Sequence, residues 1–223
     1  MVIEEVRPIK TQEILNDFTP EFWTHSGQEI REKRKVNEVY NTFNRTVFAH
    51  QEYQNLYALT LTPNEQFLRH SGAYFKEDEY ERAVLKLYDQ MLHRVSASIE
   101  SNYRRNTFQR QRLISQVIIE HKSQRSGLIC VPHIHATIAV HDDWNSRFLD
   151  CFQRNICRDH LSVNRSIFTG KSGESLSSQI NSTRLVPINN LFRWQSYTLK
   201  QVTDDYQGAG FATRGLSKVK KKH

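Results

Sequence analysis

The stretch Cys130-Val-Pro-His-Ile-His-Ala-Thr-Ile-Ala-Val140 decides how this chain is read. Successive side chains of an extended strand point to opposite faces. His133, His135, Thr137, Ala139 and His141 therefore share one face, and Ile134, Ala136, Ile138 and Val140 share the other. The apolar face is expected to pack on a helix and the polar face to be offered to a site. Pro132 has no N–H to give a ladder, so it marks either an edge or a bulge just before the histidines. Two imidazoles side by side make half a metal site, or simply two solvated surface histidines.

A metal needs a third ligand, and the preceding strand supplies candidates. The residues at about 113–122 and 128–140 read as two strands joined through Gln124-Arg-Ser-Gly127. If the hairpin closes with a two-residue Ser126-Gly127 turn, Lys122 pairs with Val131 and Glu120 lies opposite His133. A longer turn shifts the register and places Ile118 or Gln116 there instead. Glu120 is the preferred ligand because it offers a charged oxygen, while His121 would point the wrong way. His141 lies six residues beyond His135, about 20 Å along a strand at ~3.3 Å per residue, and cannot share the ion. Two imidazoles and a carboxylate suit a divalent cation such as Mn²⁺ or Mg²⁺ and leave positions for water and a phosphate oxygen.

Outward from this strand the chain alternates helices and strands. Residues 27–49 read as an exposed charged helix, with Glu32-Lys-Arg-Lys35 on a solvated face. Leu56-Tyr-Ala-Leu-Thr-Leu-Thr62 is a β-type run closed by Pro63. From about 76 to 101 the apolar residues Val84, Leu87, Tyr88, Met91, Leu92, Val95 and Ile99 recur at helical spacing. Residues 144–160 also look helical, 161–190 are polar and irregular with room for short strands, and Leu191 to about Val202 reads as the last helix. The fold class expected is α+β, a central antiparallel sheet with flanking helices. Three parts are expected: a helical N-terminal extension at 1–50, a main domain at 51–207 and a flexible basic tail at 208–223.

Composition narrows the partners. The 223 residues carry a formal charge of +7, which favours an anionic partner. No stretch approaches the roughly 18 apolar residues needed to cross a bilayer, and the N-terminus lacks the apolar core of a signal peptide. Three cysteines, Cys130, Cys151 and Cys157, give an odd count with no tight pair, so a reducing cytoplasm is the simpler expectation.

In Trp194-Gln-Ser-Tyr-Thr-Leu-Lys200, Tyr197 and Lys200 are i, i+3 neighbours on a helix. A phenol is a weak nucleophile until its phenolate is stabilised, and Lys200 can supply positive charge to it or to a phosphate under attack. Of nine tyrosines it alone has a lysine three positions on. The bland alternative is an amphipathic helix with Tyr197 packed and Lys200 exposed.

Three motifs in this order resemble those of the HUH endonucleases, specifically the single-tyrosine rolling-circle replication initiators. Leu59-Thr-Leu-Thr-Pro63 looks like the family's first motif, Pro132-His-Ile-His135 like its paired histidines and Tyr197-Thr-Leu-Lys200 like its nucleophile motif. The likeness spans about 55–203. It implies the family's sheet fold, with 51–207 as the nuclease domain. It implies His133, His135 and a polar third ligand, here Glu120, around a divalent metal, with Tyr197 attacking a phosphate of single-stranded DNA at a replication origin. A 5′-phosphotyrosine and a free 3′-OH result, and the reverse step rejoins a strand. A host helicase and polymerase are the partners implied, on a plasmid or phage replicon. The nine-residue offset of Tyr206 from Tyr197 does not match the close pair of two-tyrosine relatives.

Other features compete. Residues 101–119 hold Arg104, Arg105, Arg110 and Arg112 with Tyr103 and Phe108 and no acid, a pattern for gripping phosphates and stacking unpaired bases, or a solvated helix end. The tail at 218–222 offers sequence-independent attraction or mere solubility. Gly170-Lys-Ser172 lacks the first glycine of a phosphate-binding loop, since Arg165 stands there. His135-Ala-Thr137 and His160-Leu-Ser162 resemble the paired motifs of metal-independent 2H phosphoesterases, but at too short a separation. A zinc site of Cys151, Cys157 and His160 lacks tight cysteine spacing. A single-strand HUH transposase and a non-catalytic nucleic-acid-binding protein are the remaining alternatives.

Overall fold

The computed structural model describes residues 43–45, 47–49, 51–70, 77–102, 112–122, 129–155, 159–168, 179–199 and 211–214. Most of the N-terminal extension, Tyr103, Arg104, Arg105, Phe108, Arg110, Lys200, Tyr206 and the basic run at 218–222 lie outside them. The described chain runs β1 (Asn55–Pro63), α1 (Glu65–His70), α2 (Glu77–Ile99), β2 (Leu113–Lys122), β3 (Ile129–Val140), α3 (Asp142–Asp150), β4 (Phe152–Arg154), β5 (Leu161–Val163), β6 (Ile180–Pro187), α4 (Leu191–Leu199) and β7 (Phe211–Arg214). Residues 43–45 and 47–49 are also helical. The strands form one seven-stranded sheet in the order β4-β5-β6-β1-β3-β2-β7, with every pairing antiparallel. The class is α+β, as expected.

Alternation on the central strands divides the sheet into two faces, each with its own apolar cluster. Leu59 and Leu61 of β1, Ile134, Ala136 and Ile138 of β3 and Val117 and Ile119 of β2 point to one face. They meet Val84, Leu87, Tyr88, Met91 and Val95 of α2 and Trp144 and Phe148 of α3. The helical spacing read over 76–101 thus marks the buried stripe of α2. Each such buried aliphatic or aromatic side chain contributes roughly 1.5–3 kcal/mol relative to exposure. The second face holds a smaller cluster of Phe43, Val47, Leu56, Ala58, Ile114, Ala139 and Leu191, with Trp194 packed at its border. The histidines of β3 lie on this second face.

Pro132 stands at a ladder irregularity, not on an edge. β3 is interior, between β1 and β2. Its pairing with β1 ends at Ile134, two residues short of the proline. Against β2 the register holds from Leu113↔Val140 to Glu120↔His133, then shifts so that Lys122 faces Ile129. The expected Lys122–Val131 pair is therefore replaced. Two extra β3 residues are accommodated where proline can give no hydrogen bond. The register at the histidines is nevertheless the one that a two-residue turn requires.

Two further expectations change. The helix read over 144–160 is α3, which begins at Asp142 and ends at Asp150. Trp144, Phe148, Cys151 and Phe152 keep helical spacing, but Phe152 reaches the core from a strand, opposite Val163. Periodicity cannot separate these cases once the apolar run stops. The stretch 208–223, read as a flexible tail, contributes Phe211–Arg214 as an edge strand along Ser115–Ile118 of β2. No described helix is long and apolar enough to cross a membrane.

His141 caps the N-terminus of α3, its Nδ1 accepting from the Asp143 N–H at 3.2 Å. Acidic Asp142 and Asp143 in the first turn complement the helix dipole. Burial, then the neighbouring Arg112 guanidinium, lowers the His141 pKa, against the opposing pull of Asp143, Glu52 and Asp142. The unfolded chain takes up this proton near pH 6.5, while the folded chain resists it. Stability from this group is therefore present above about pH 6.5 and lost as pH falls below it. His141→Asn keeps a cap acceptor and removes the titration. Its urea midpoint should fall less between pH 7.5 and pH 5 than that of the parent protein.

Candidate active site

The ladder aligns three rows of side chains across the second face. Gln116, Thr137, Ala58 and Val186 form one row, and Ile118, His135, Thr60 and Arg184 the next. Glu120 and His133 begin the third. Directly opposed residues share a face, and neighbouring strands lie about 4.8 Å apart. Imidazoles and a carboxylate from two strands are thereby brought together without any loop. The other candidate third ligands, Ile118 and Gln116, fall opposite His135 and Thr137, so the register selects Glu120.

Glu120 is buried, and its Oε2 lies 2.7 Å from His135 Nε2 and 3.5 Å from His133 Nε2. One ligand atom from each of the three residues falls within 4.8 Å of the others. His135 is 4% exposed, whereas His133 is partly exposed. The two imidazoles meet edge to face, with ring centres 4.8 Å apart. A buried carboxylate must be compensated. A proton on His135 Nε2 does this, and so does a cation between the three groups. A six-coordinate divalent ion with bonds of about 2.1–2.3 Å holds neighbouring ligand atoms about 3 Å apart. The Glu120 contacts bracket that spacing. Thr60 Oγ1 lies 3.2 Å from His135 Nδ1. A proton donated there leaves the Nε2 lone pair for a metal, an outer contact of the kind that orients ligating histidines. The group can hold a metal ion.

Helix α4 crosses the same face and brings aromatic residues to the histidines. Trp194 Nε1 donates to Thr137 Oγ1 at 3.1 Å, which fixes the helix on β3. Gln195 and Asn44 exchange amide hydrogen bonds at 2.8 and 3.2 Å and tie α4 to the helical segment above it. One turn beyond Trp194, Tyr197 packs edge-on against His135 with ring centres 5.4 Å apart. It also stacks on Trp194 at 5.7 Å. Tyr197 is 46% exposed, so its ring is held while much of the residue meets solvent. A cavity of about 480 Å³ opens beside it, walled by Thr60, His135, Trp194, Arg184 and Arg193.

Of the residues singled out in the sequence, Glu120, His133, His135 and Tyr197 converge here. Lys200 lies outside the described residues, as do Tyr103, Arg104, Arg105, Phe108 and Arg110. Arg112 sits at the far end of β2, where its Nη1 is 2.9 Å from His141 Nδ1 and bonds the Asp143 carboxylate. Eight residues of strand, about 26 Å, separate it from Glu120. The paired His-x-Thr/Ser motifs do not meet either. Thr137 is on β3 and Ser162 on β5, with β1 and β6 between them. Ser162 Oγ donates to the Thr183 carbonyl instead. Cys151 is a buried free thiol whose pKa burial pushes up, and no described metal group includes it.

Residues that the sequence did not single out for the site are Thr60, Trp194, Arg184 and Arg193. Trp194 carried a signal, since i, i+3 from Tyr197 shares a helix face. Arg184 carried none until the register of β6 was known.

Comparison of the chain with protein-family models, with curated proteins and with solved structures finds no match.

Glu120→Ala should weaken Mn²⁺ binding more than about tenfold, since changes even outside the ligand shell typically cost 10–100-fold. Calorimetric titration measures it. An unchanged affinity would remove Glu120 from the ligand set.

Proposed function

We propose that this chain is a metal-dependent DNA endonuclease and strand transferase of the HUH type, with the sheet fold of that family, acting as a single-tyrosine initiator of rolling-circle replication. The observation that carries the reading is the edge-on packing of Tyr197 against His135, one of two imidazoles sharing a buried carboxylate. A tyrosine and a carboxylate–imidazole group able to hold a cation thus lie over one face of one antiparallel sheet, which supports this reading of the three sequence motifs.

The chemistry assigns each group a role. Glu120, His133 and His135 would hold a divalent cation, Mn²⁺ or Mg²⁺, which would supply positive charge to offset the negative charge growing on a non-bridging phosphate oxygen of single-stranded DNA. Tyr197 loses its phenolic proton and its Oη forms a bond to phosphorus. The bond to the 3′ oxygen breaks, and that oxygen takes a proton and leaves as a 3′-OH. The 5′ phosphate remains on Tyr197, and reversal of the step rejoins a strand. Lys200, three residues on, supplies positive charge to the phenolate or the phosphate. Thr60 and Trp194 are positioning residues, the first through His135 and the second through the ring of Tyr197.

The test mixes the protein, Mn²⁺ and a degenerate pool of single-stranded oligonucleotides and looks for a covalent adduct on a denaturing gel. Tyr197→Phe should abolish the adduct and leave binding within about twofold, because the ring contacts stay. An undiminished adduct would take Tyr197 out of the nucleophile role. Replacing His133 and His135 together with alanine should abolish cleavage and its metal dependence at once. Binding with no adduct under any condition would favour a non-catalytic binder.

A further inference from the structure

The cavity beside Tyr197 extends away from the carboxylate–imidazole group towards β6, and its composition is distinctive. Two guanidinium groups, Arg184 and Arg193, line it, and no carboxylate does among the described residues. Both arginines are exposed, and neither has an ion-pair partner among the described residues. Their placement follows from two periodicities. Arg184 is in the same ladder row as Thr60 and His135, two strands from the histidine and on the same face. Arg193 precedes Tyr197 by four residues on α4, the spacing that puts two side chains on one helix face. The indole of Trp194 lines the same cavity, its orientation set by its hydrogen bond to Thr137.

Two cations alone would suit any small anion. The space asks for more. At about 480 Å³ the cavity falls in the range of sites that take a whole organic ligand. An indole wall beside guanidinium groups matches a flat aromatic ring joined to a phosphate, since arginine forks match phosphate oxygens and aromatic faces stack on unpaired bases. We infer that this cavity is a binding subsite for one unpaired nucleotide next to the scissile phosphate, with Trp194 bordering the base and Arg184 and Arg193 gripping the adjoining phosphate. The inference deepens the nuclease reading and rests on it in taking a single strand as the ligand. It makes Arg184 and Arg193 positioning residues for the phosphate presented to Tyr197, and it makes the cavity a place where base identity is read.

The experiment uses the full chain in chelator, so that binding is measured without cleavage. A labelled single-stranded oligonucleotide is titrated at several salt concentrations against the parent protein, Arg184→Gln, Arg193→Gln and the double variant. Both arginines are exposed, so folding should persist, and circular dichroism checks it. The double variant should bind at least tenfold more weakly. Its log–log salt dependence should be shallower by about 0.7, since one phosphate of a single strand is no longer neutralised. Mn²⁺ affinity should stay within twofold of the parent. Adduct formation by the double variant should need at least tenfold more DNA to reach half its maximum.

Parental affinity and salt slope in the double variant overturn the subsite. If the adduct then still forms, the nuclease reading stands without it. If no adduct forms with any protein while the affinity and slope change as expected, the subsite stands and the catalytic reading falls. Displacement of the strand by a free deoxynucleoside monophosphate at micromolar concentration would overturn a strand subsite in favour of a mononucleotide pocket.

Discussion

The register of β3 against β2 is the constraint on which the rest depends. Glu120 opposes His133, and that single pairing fixes the carboxylate diagonally across from His135, where their atoms come to 2.7 Å. A slip by one residue would turn Glu120 into the face packed by α2. The cost of burying an uncompensated carboxylate makes such a slip doubly unfavourable, because the apolar rows on the opposite face would be exposed at the same time. Stability and site geometry are thus enforced by the same hydrogen-bond ladder. The irregularity near Pro132 begins just where the histidines end, so the ladder is undisturbed through the residues that carry chemistry.

The two faces of the sheet divide the work. The face packed by α2 and α3 carries the larger apolar cluster. Among the described residues the opposite face carries the smaller cluster, packed by α4 and the helical residues 43–45 and 47–49. Some of its polar groups have specific partners, Thr60 for His135 and the Trp194 indole for Thr137, and Asn44 bonds Gln195 of α4, while the buried Gln116 amide has none among the described residues. A helix held by a few directional bonds over a polar row can present a tyrosine to the histidines while leaving an opening for substrate. A fully apolar interface would have closed over it. The cavity lined by Arg184 and Arg193 is that opening, and its positive lining agrees with the chain's overall charge.

Much of this was legible from residues because local periodicities dominate where elements are long. The alternation on β3, the stripe on α2 and the span of β2 all follow from side chains that must be buried on one side. Legibility failed where elements are short or where the partner lies far away in sequence. Phe152 satisfies a helical pattern from a strand, since one residue cannot distinguish a continuing helix from a turn into a new ladder. The strand at Phe211–Arg214 is four residues long, and only an open edge on β2 gives it a partner. Arg112, grouped in the sequence with a basic aromatic segment, is held by His141 and Asp143 at the other end of the sheet.

The sequence by itself determined which histidines share a face, that a tyrosine–lysine pair follows them at helical spacing, and that Glu120 is their preferred third partner. These follow from periods of two and 3.6 and from the donor chemistry of side chains. Only the tertiary structure decided that the tyrosine packs edge-on against His135, that Thr60, Trp194 and Arg184 line the same site, and that 144–160 divides into helix and strand. Those outcomes depend on how β1, β6 and α4 are laid beside β3. That arrangement is set by long-range burial and strand pairing, which no local pattern encodes.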